Sequence, residues 1–152
     1  VLTLARDGRT VGDTEPVDVA AVARDAWETA GVPTATLDVA DDLGRVDADP
    51  ERFRTVFENL LGNAVHHAGE DVAVTVGALP DDAGFYVEDD GPGIPESDRE
   101  QVFETGYTTG TEGLGLGLAI VEGVADAHGW AITAGESAEG GARFEVSGVV
   151  VP

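Results

Sequence analysis

The chain has no cysteine, no methionine and no lysine: its eight basic residues are all arginine. Without cysteine there are no disulfides and no thiolate metal centres, and the composition fits a reducing compartment. No apolar run approaches the roughly 20 residues a membrane-crossing helix needs. No basic-then-apolar amino-terminal segment reads as a secretory signal. Positive charge is scarce as well: 30 acidic residues oppose 8 basic ones, for a net charge of −22 over 152 residues. So negative a surface repels nucleic acid and anionic lipid, which excludes both as direct partners. The acids are spread along the whole chain instead of forming a block. They therefore read as a solubilising coat suited to concentrated salt, where a short Debye length screens self-repulsion, in preference to an acidic docking face.

With 42% apolar residues the chain can build one ordinary domain with a real core. It opens on Val1 and holds no Met, so it is expected to be a piece of a longer protein. Residues 1–6 read as the end of a helix, and residues 7–16 as a Gly/Pro-punctuated linker. Asp18 is placed to cap a helix with an apolar stripe through Val19, Val22, Ala23, Ala26, Trp27 and Ala30, ended by Gly31 and Pro33. An alternating segment, 34–39, suggests a strand, and 41–49 a turn-rich acidic stretch. The strongest helix starts at Asp49-Pro50, with the Asp as cap and the Pro in the first turn. Phe53, Val56, Phe57, Leu60, Leu61, Ala64 and Val65 recur at helical spacing and must face a core. Segments 72–76 and 85–87 read as a hairpin, 97–103 as a short helix and 104–112 as a Gly/Thr-rich loop. Leu116 to Ala127 gives a further helical stripe ended by Gly129, and 130–133 and 142–151 give two more strands. Hairpins interleaved with helices predict an α/β (α+β) two-layer sandwich, with a mixed sheet covered on one face by helices.

Three short motifs carry chemistry. Asn59 and Asn63 lie one turn apart on the polar side of the strongest helix. Their amide oxygens are hard neutral ligands suited to Mg²⁺, which keeps waters and phosphate oxygens in its shell; alternatively they satisfy neighbouring backbone. Asp89, after a strand and before Gly91 and Gly93, can accept a hydrogen bond from an exocyclic amine and so select adenine, while the glycines let backbone approach a flat ring. Asp89-Asp90-Gly91-Pro92-Gly93 is also simply good turn chemistry. Gly113, Gly115 and Gly117 open a helix, where exposed N–H groups and the helix dipole favour phosphate. No Lys-Ser/Thr follows, so this is no Walker loop, and no strand leads directly into it, so it is not the dinucleotide pattern.

Taken together, these segments resemble the catalytic ATP-binding domain of sensor histidine kinases. That domain belongs to the Bergerat-type group that also includes type II topoisomerases, mismatch-repair ATPases and the large heat-shock chaperone. Residues 60–65 look like its N box, 89–94 like the G1 box, 103–107 like the F box, 113–120 like the G2 box, and 140–144 like a degenerate last glycine box. The resemblance spans about residues 17–150 and implies three helices over a mixed, largely antiparallel sheet. By the same likeness Asn63 is the principal Mg²⁺ ligand, with Asn59 supporting the metal–phosphate assembly. Asp89 contacts adenine, with Gly91, Gly93 and Ile94 beside it. His66, His67 and Tyr107 adjoin the nucleotide, and 104–112 forms a lid. Gly113, Leu114, Gly115, Leu116 and Gly117 wrap the phosphates. Residues 1–16 correspond to the end of a dimerisation helix and linker, and 17–152 to the kinase domain.

The implied reaction is γ-phosphoryl transfer from ATP to a His on a dimerisation domain of the same protein, and then indirectly to a response regulator. The isolated piece is expected to be monomeric and cytoplasmic, from a parent that could be membrane-anchored, and from a halophile. Other members of the group activate water with a Glu four residues before the metal Asn. Asn59 holds that place here, and Glu58 lies about 100° round the helix, so intrinsic ATP hydrolysis is expected to be slow. His66 stands where a Lys or Arg often meets phosphate, and the lid has no basic residue, so affinity should be modest and depend on divalent metal. Phe103 and Tyr107 fit either core packing or a clamp on the lid. His128, at a helix end, reads as a structural cap in which a cation meets the dipole. A protein-serine kinase of the anti-sigma type on the same fold, and a non-catalytic adenine-nucleotide sensor, are the rival functions.

Overall fold

The computed structural model describes residues 14–30, 34–40, 43–68, 71–80, 84–91, 93, 117–137 and 140–149. Strand β1 (Glu15–Asp18) leads into helix α1 (Val19–Ala30), followed by β2 (Thr36–Val39), β3 (Arg45–Ala48) and the long helix α2 (Pro50–Ala68). The hairpin strands β4 (Ala73–Ala78) and β5 (Gly84–Asp89) come next. Helix α3 (Gly117–His128), β6 (Ala131–Glu136) and β7 (Ala142–Ser147) complete the order. Five strands form one sheet in the order β2-β4-β5-β7-β6, and β1 pairs with β3 in a separate two-stranded sheet. Only β2–β4 is parallel within the main sheet; β4–β5, β5–β7 and β6–β7 are antiparallel. The mixed, largely antiparallel sheet, with three helices among the described residues, is the arrangement the resemblance implies.

Local chemistry sets the starts of α1 and α2 and the end of α3. The Asp18 carboxylate accepts from the Ala21 N–H at 3.0 Å and caps α1. The Asp49 carboxylate accepts from the Glu51 and Arg52 N–H groups at 3.1 and 3.4 Å and caps α2. Helix α3 closes with Gly129 at φ 81°. There the Trp130 N–H reaches the Ala125 carbonyl and the Gly129 N–H that of Asp126, the paired bonds of a Schellman motif.

The core lies between α2 and the sheet. Phe53, Phe57, Leu60 and Leu61 of α2 are fully buried, together with Val74 and Val76 of β4 and Phe85 and Val87 of β5. Phe53 meets Phe57, Phe85 and Trp130 edge-on at centroid distances of 5.3, 5.7 and 5.8 Å. Alternate residues of β5 and β7 turn to the other face. On that face Arg143 lies 3.9 Å above the Tyr86 ring and pairs with Glu88 and Glu145.

Three expectations are corrected. The stretch read as linker ends earlier, because Glu15 and Pro16 already pair with Ala48 and Asp47 in β1–β3. The acidic stretch 41–49 contains a strand, β3, whose Val46 and Ala48 are buried. His128 is a cap, but not a cationic one. Its Nε2 accepts from the Asp49 N–H at 3.1 Å, its Nδ1 lies 2.9 Å from the Val124 carbonyl, and its ring stacks on Trp130 at 4.2 Å. These two bonds require the neutral tautomer with the proton on Nδ1. His128 thereby ties the end of α3 to the start of α2, and His128→Ala should lower stability by about 1–2 kcal/mol. A urea titration measures this.

Candidate nucleotide site

Asp89 is the last residue of β5, a strand hydrogen-bonded on both sides, and is 7% exposed. Its Oδ1 accepts from the Gly91 N–H at 2.9 Å and from the Ala142 N–H at 3.1 Å. The first bond is the turn that the sequence suggests. The second comes from the neighbouring strand β7 and fixes the carboxylate from across the sheet. Both of these bonds fall on Oδ1, and among the described residues no donor meets Oδ2. Burial pushes the Asp89 carboxyl above its ordinary pKa, with the nearby Asp90 and Glu88 charges adding to the shift, against the opposing pull of the two backbone N–H groups.

The glycines of this region pack on one another. Gly93 has φ 79°, and a Cβ there would come within 2.6 Å of the Gly140 carbonyl oxygen. A Cβ on Gly141 would overlap the Asp89 carbonyl and carboxylate oxygens. The structure therefore brings the Asp89–Gly93 turn and the Gly140–Gly141 turn into contact. The sequence places the second turn in a degenerate glycine box but names no contact for it, and gives no sign of Ser137, which is 6% exposed and hydrogen-bonded to both turns. The available signal was a Ser four residues before a Gly at a strand end, a common turn composition.

Asn59 and Asn63 lie on α2, the helix packed against β5 through Phe53 and Phe57 on Phe85. The Asn59 Nδ2–H donates to the Thr55 carbonyl at 2.8 Å. The backbone-satisfying role therefore holds for its amide nitrogen, while the amide oxygen, the atom a hard cation would use, is turned away from that bond. Asn63 is 8% exposed. Glu58 does not stand in as a water-activating base. It takes a 2.9 Å hydrogen bond from Arg54, which also reaches Asp25 on α1 at 3.2 Å. Its carboxylate is thus committed to the α1–α2 side.

Gly117 is the first residue of α3. His66 and His67 fall within α2, but their side chains lie outside the described residues, as do Ile94, Phe103, Tyr107, the lid 104–112 and Gly113 to Leu116. No helix among the described residues is long and apolar enough to cross a membrane.

Comparison with known proteins bears on the same elements. Residues 48–149 match the family model of histidine kinase-, DNA gyrase B- and HSP90-like ATPases. The chain is 35% identical over 136 residues to the adaptive-response sensory kinase SasA of Nostoc sp., covering 85% of this chain and 34% of that protein. It spans about a third of the length of that relative. Among solved structures it resembles the mycobacterial sensor histidine kinase MprB, with a TM-score of 0.77 at 27% identity over 91% of this chain and 99% of the other. It also resembles the ATP binding domain of PrrB from Mycobacterium tuberculosis, with a TM-score of 0.72 at 30% identity over 93% and 99%. Its matched segment, its three helices on a mixed sheet and its relatives agree: the chain belongs to the histidine kinase-, DNA gyrase B- and HSP90-like ATPase family.

Proposed function

We propose that this chain is the ATP-binding catalytic unit of a two-component sensor histidine kinase. It would transfer the γ-phosphoryl group of ATP to a His on a separate dimerisation domain of the same protein, from which a response regulator is served. The observation that carries this reading is Asp89: a buried carboxylate with one oxygen held by two backbone N–H groups and the other left to accept from the amine of adenine. It is supported by relatives and neighbours that are sensor histidine kinases, one of them solved as an ATP binding domain.

Asn63 and the Asn59 amide oxygen suit Mg²⁺, which would neutralise triphosphate charge. The chain's own part is to bind and orient, the main contributions to phosphoryl transfer. With Glu58 bound to Arg54 and Asn59 in place of a Glu one turn before Asn63, no carboxylate is set beside Asn63 to activate water, which favours transfer over hydrolysis. The residues before β1 would join this unit to the dimerisation domain, and His66, His67, Ile94, Tyr107 and Gly113 to Gly117 would complete the nucleotide contacts. We assign the unit to the cytoplasm.

Incubating the chain with the dimerisation domain of its parent, radiolabelled ATP and Mg²⁺ tests the reading. Acid-labile label on the dimerisation domain is expected, with no stable label on this chain and little free phosphate. Acid-stable label would point instead to a hydroxyl acceptor and sink it.

The acidic coat is assigned to life in concentrated salt. With a net charge of −22, raising KCl from about 0.1 to 1 M shortens the Debye length from about 10 to 3 Å. The Tm should rise by several degrees, as calorimetric scans can follow. A flat or falling Tm would remove the halophilic assignment.

A further inference from the structure

The tight turn between β6 and β7 touches the base-reading acid directly. The Ser137 Oγ–H donates to the Asp89 carbonyl oxygen at 2.8 Å, and the same Oγ accepts from the Gly141 N–H at 2.9 Å. The turn is closed by the Ser137 N–H on the Gly141 carbonyl at 2.8 Å and by the Gly140 N–H on the Ser137 carbonyl at 3.0 Å. A hydroxyl is the smallest side-chain group that both donates and accepts, and this one is buried, at 6% exposure. Gly141 meets a matching constraint, since a Cβ there would overlap Asp89.

We propose that Ser137, seated against Gly141, is a positioning residue for adenine recognition: it anchors the Asp89 main chain so that Oδ2 is aimed at the exocyclic amine of the purine. The inference rests on the reading of Asp89 as the purine-selecting acid. The Asp89 side chain is held through Oδ1 by Gly91 and Ala142. Its backbone is held through the carbonyl by Ser137, and Gly141 lets the two strands close to that distance. Ala142 follows Gly141 directly, so a turn loosened at Ser137 shifts the donor on Oδ1 as well. On this reading the contact with the base amine depends on both anchors, and ITP, which lacks the amine, does not draw on them.

The test compares ATP with ITP, which carries a carbonyl where ATP carries the amine, by calorimetry with Mg²⁺. Ser137→Ala should weaken ATP binding about five- to tenfold and leave ITP binding unchanged, so that the ATP-over-ITP preference falls by the same factor. Ser137→Thr, which keeps the hydroxyl, should restore the preference. Equal loss for both nucleotides, or no loss for either, would overturn the positioning role. If the unaltered chain binds ITP as tightly as ATP, the reading of Asp89 itself fails, before any Ser137 variant is measured. Should Ser137→Ala not fold, deuterium exchange of the unaltered, nucleotide-free chain decides. The Gly141 and Ala142 amides are expected to be protected like strand amides, and exchange at loop rates would refute the anchor.

Discussion

Replacing Asp89 by Asn should weaken ATP binding at least about a hundredfold while leaving the fold as stable as before or more so. The Asn amide oxygen can still accept from Gly91 and Ala142, so the anchors across the turn and the sheet survive. On the proposed reading, the oxygen that would accept from the adenine amine is replaced by N–H groups facing another N–H donor, which loses a charge-assisted bond and adds a repulsion. Stability moves the other way because a buried carboxylate is costly to ionise. Burial raises the Asp89 pKa above its ordinary value, so folding favours the protonated form relative to the unfolded chain. The stability this group contributes is full below the unfolded carboxylate pKa of about 3.9 and is lost as pH rises through the folded pKa. The stability advantage of Asp89→Asn should therefore be largest at neutral pH and vanish in acid, as paired thermal melts across pH would show. ATP binding has the opposite dependence, since protonation removes the acceptor. It should fall, on acidification, sooner than an ordinary carboxylate would give, with ITP as the reference for phosphate titration. A variant that is less stable at neutral pH yet still discriminates ATP from ITP would contradict both halves of this account.

On the proposed reading one carboxylate trades stability for recognition, and Asp89 stands out in sequence as well as in structure. An acid at the end of an apolar strand, before two glycines, breaks the pattern of its surroundings. Helix α2 was equally legible, because Asp49 and Pro50 mark its start and the Phe53-to-Val65 stripe sustains a helical period over several turns. Strands β1 and β3 were not. Each has four residues, with Val17 alone buried in the first and Val46 and Ala48 in the second, too few for a period of two to register. They gain their structure only by pairing with each other across α1 and β2. The anchoring by Ser137 was hidden for a related reason: its acceptor is a backbone oxygen 48 positions away, and a backbone acceptor leaves no mark on residue type. The same holds for His128, whose neutral form is set by an Asp49 N–H 79 positions away. Helix-end electrostatics alone favours a cation there.

The largest loss of stability is expected from Phe53→Ala, at about 3–5 kcal/mol. Phe53 is 0% exposed and stands where helix α2, strand β5 and the start of β6 converge, edge-on to Phe57, Phe85 and Trp130. Truncation leaves a cavity bounded by three rigid rings. Phe57 and Phe85 already stack on each other at 5.2 Å and 24°, so neither can swing into the gap without giving up that contact. The edge-to-face contacts add beyond buried area, about 0.5–1.5 kcal/mol per pair. Against the roughly 5–15 kcal/mol that holds a domain folded, such a loss puts the variant near its unfolding midpoint under mild conditions. Phe53→Leu keeps most of the volume and should cost less than half as much. Urea unfolding of both variants beside the unaltered chain decides the point. The ATP-over-ITP preference of whatever fraction remains folded should be unchanged, because Phe53 packs on Phe57, Phe85 and Trp130 in the core and has no part in the proposed reading of the base. If Phe53→Ala proved as mild as Phe53→Leu, the ring cluster would not be the place where helix layer and sheet are locked together.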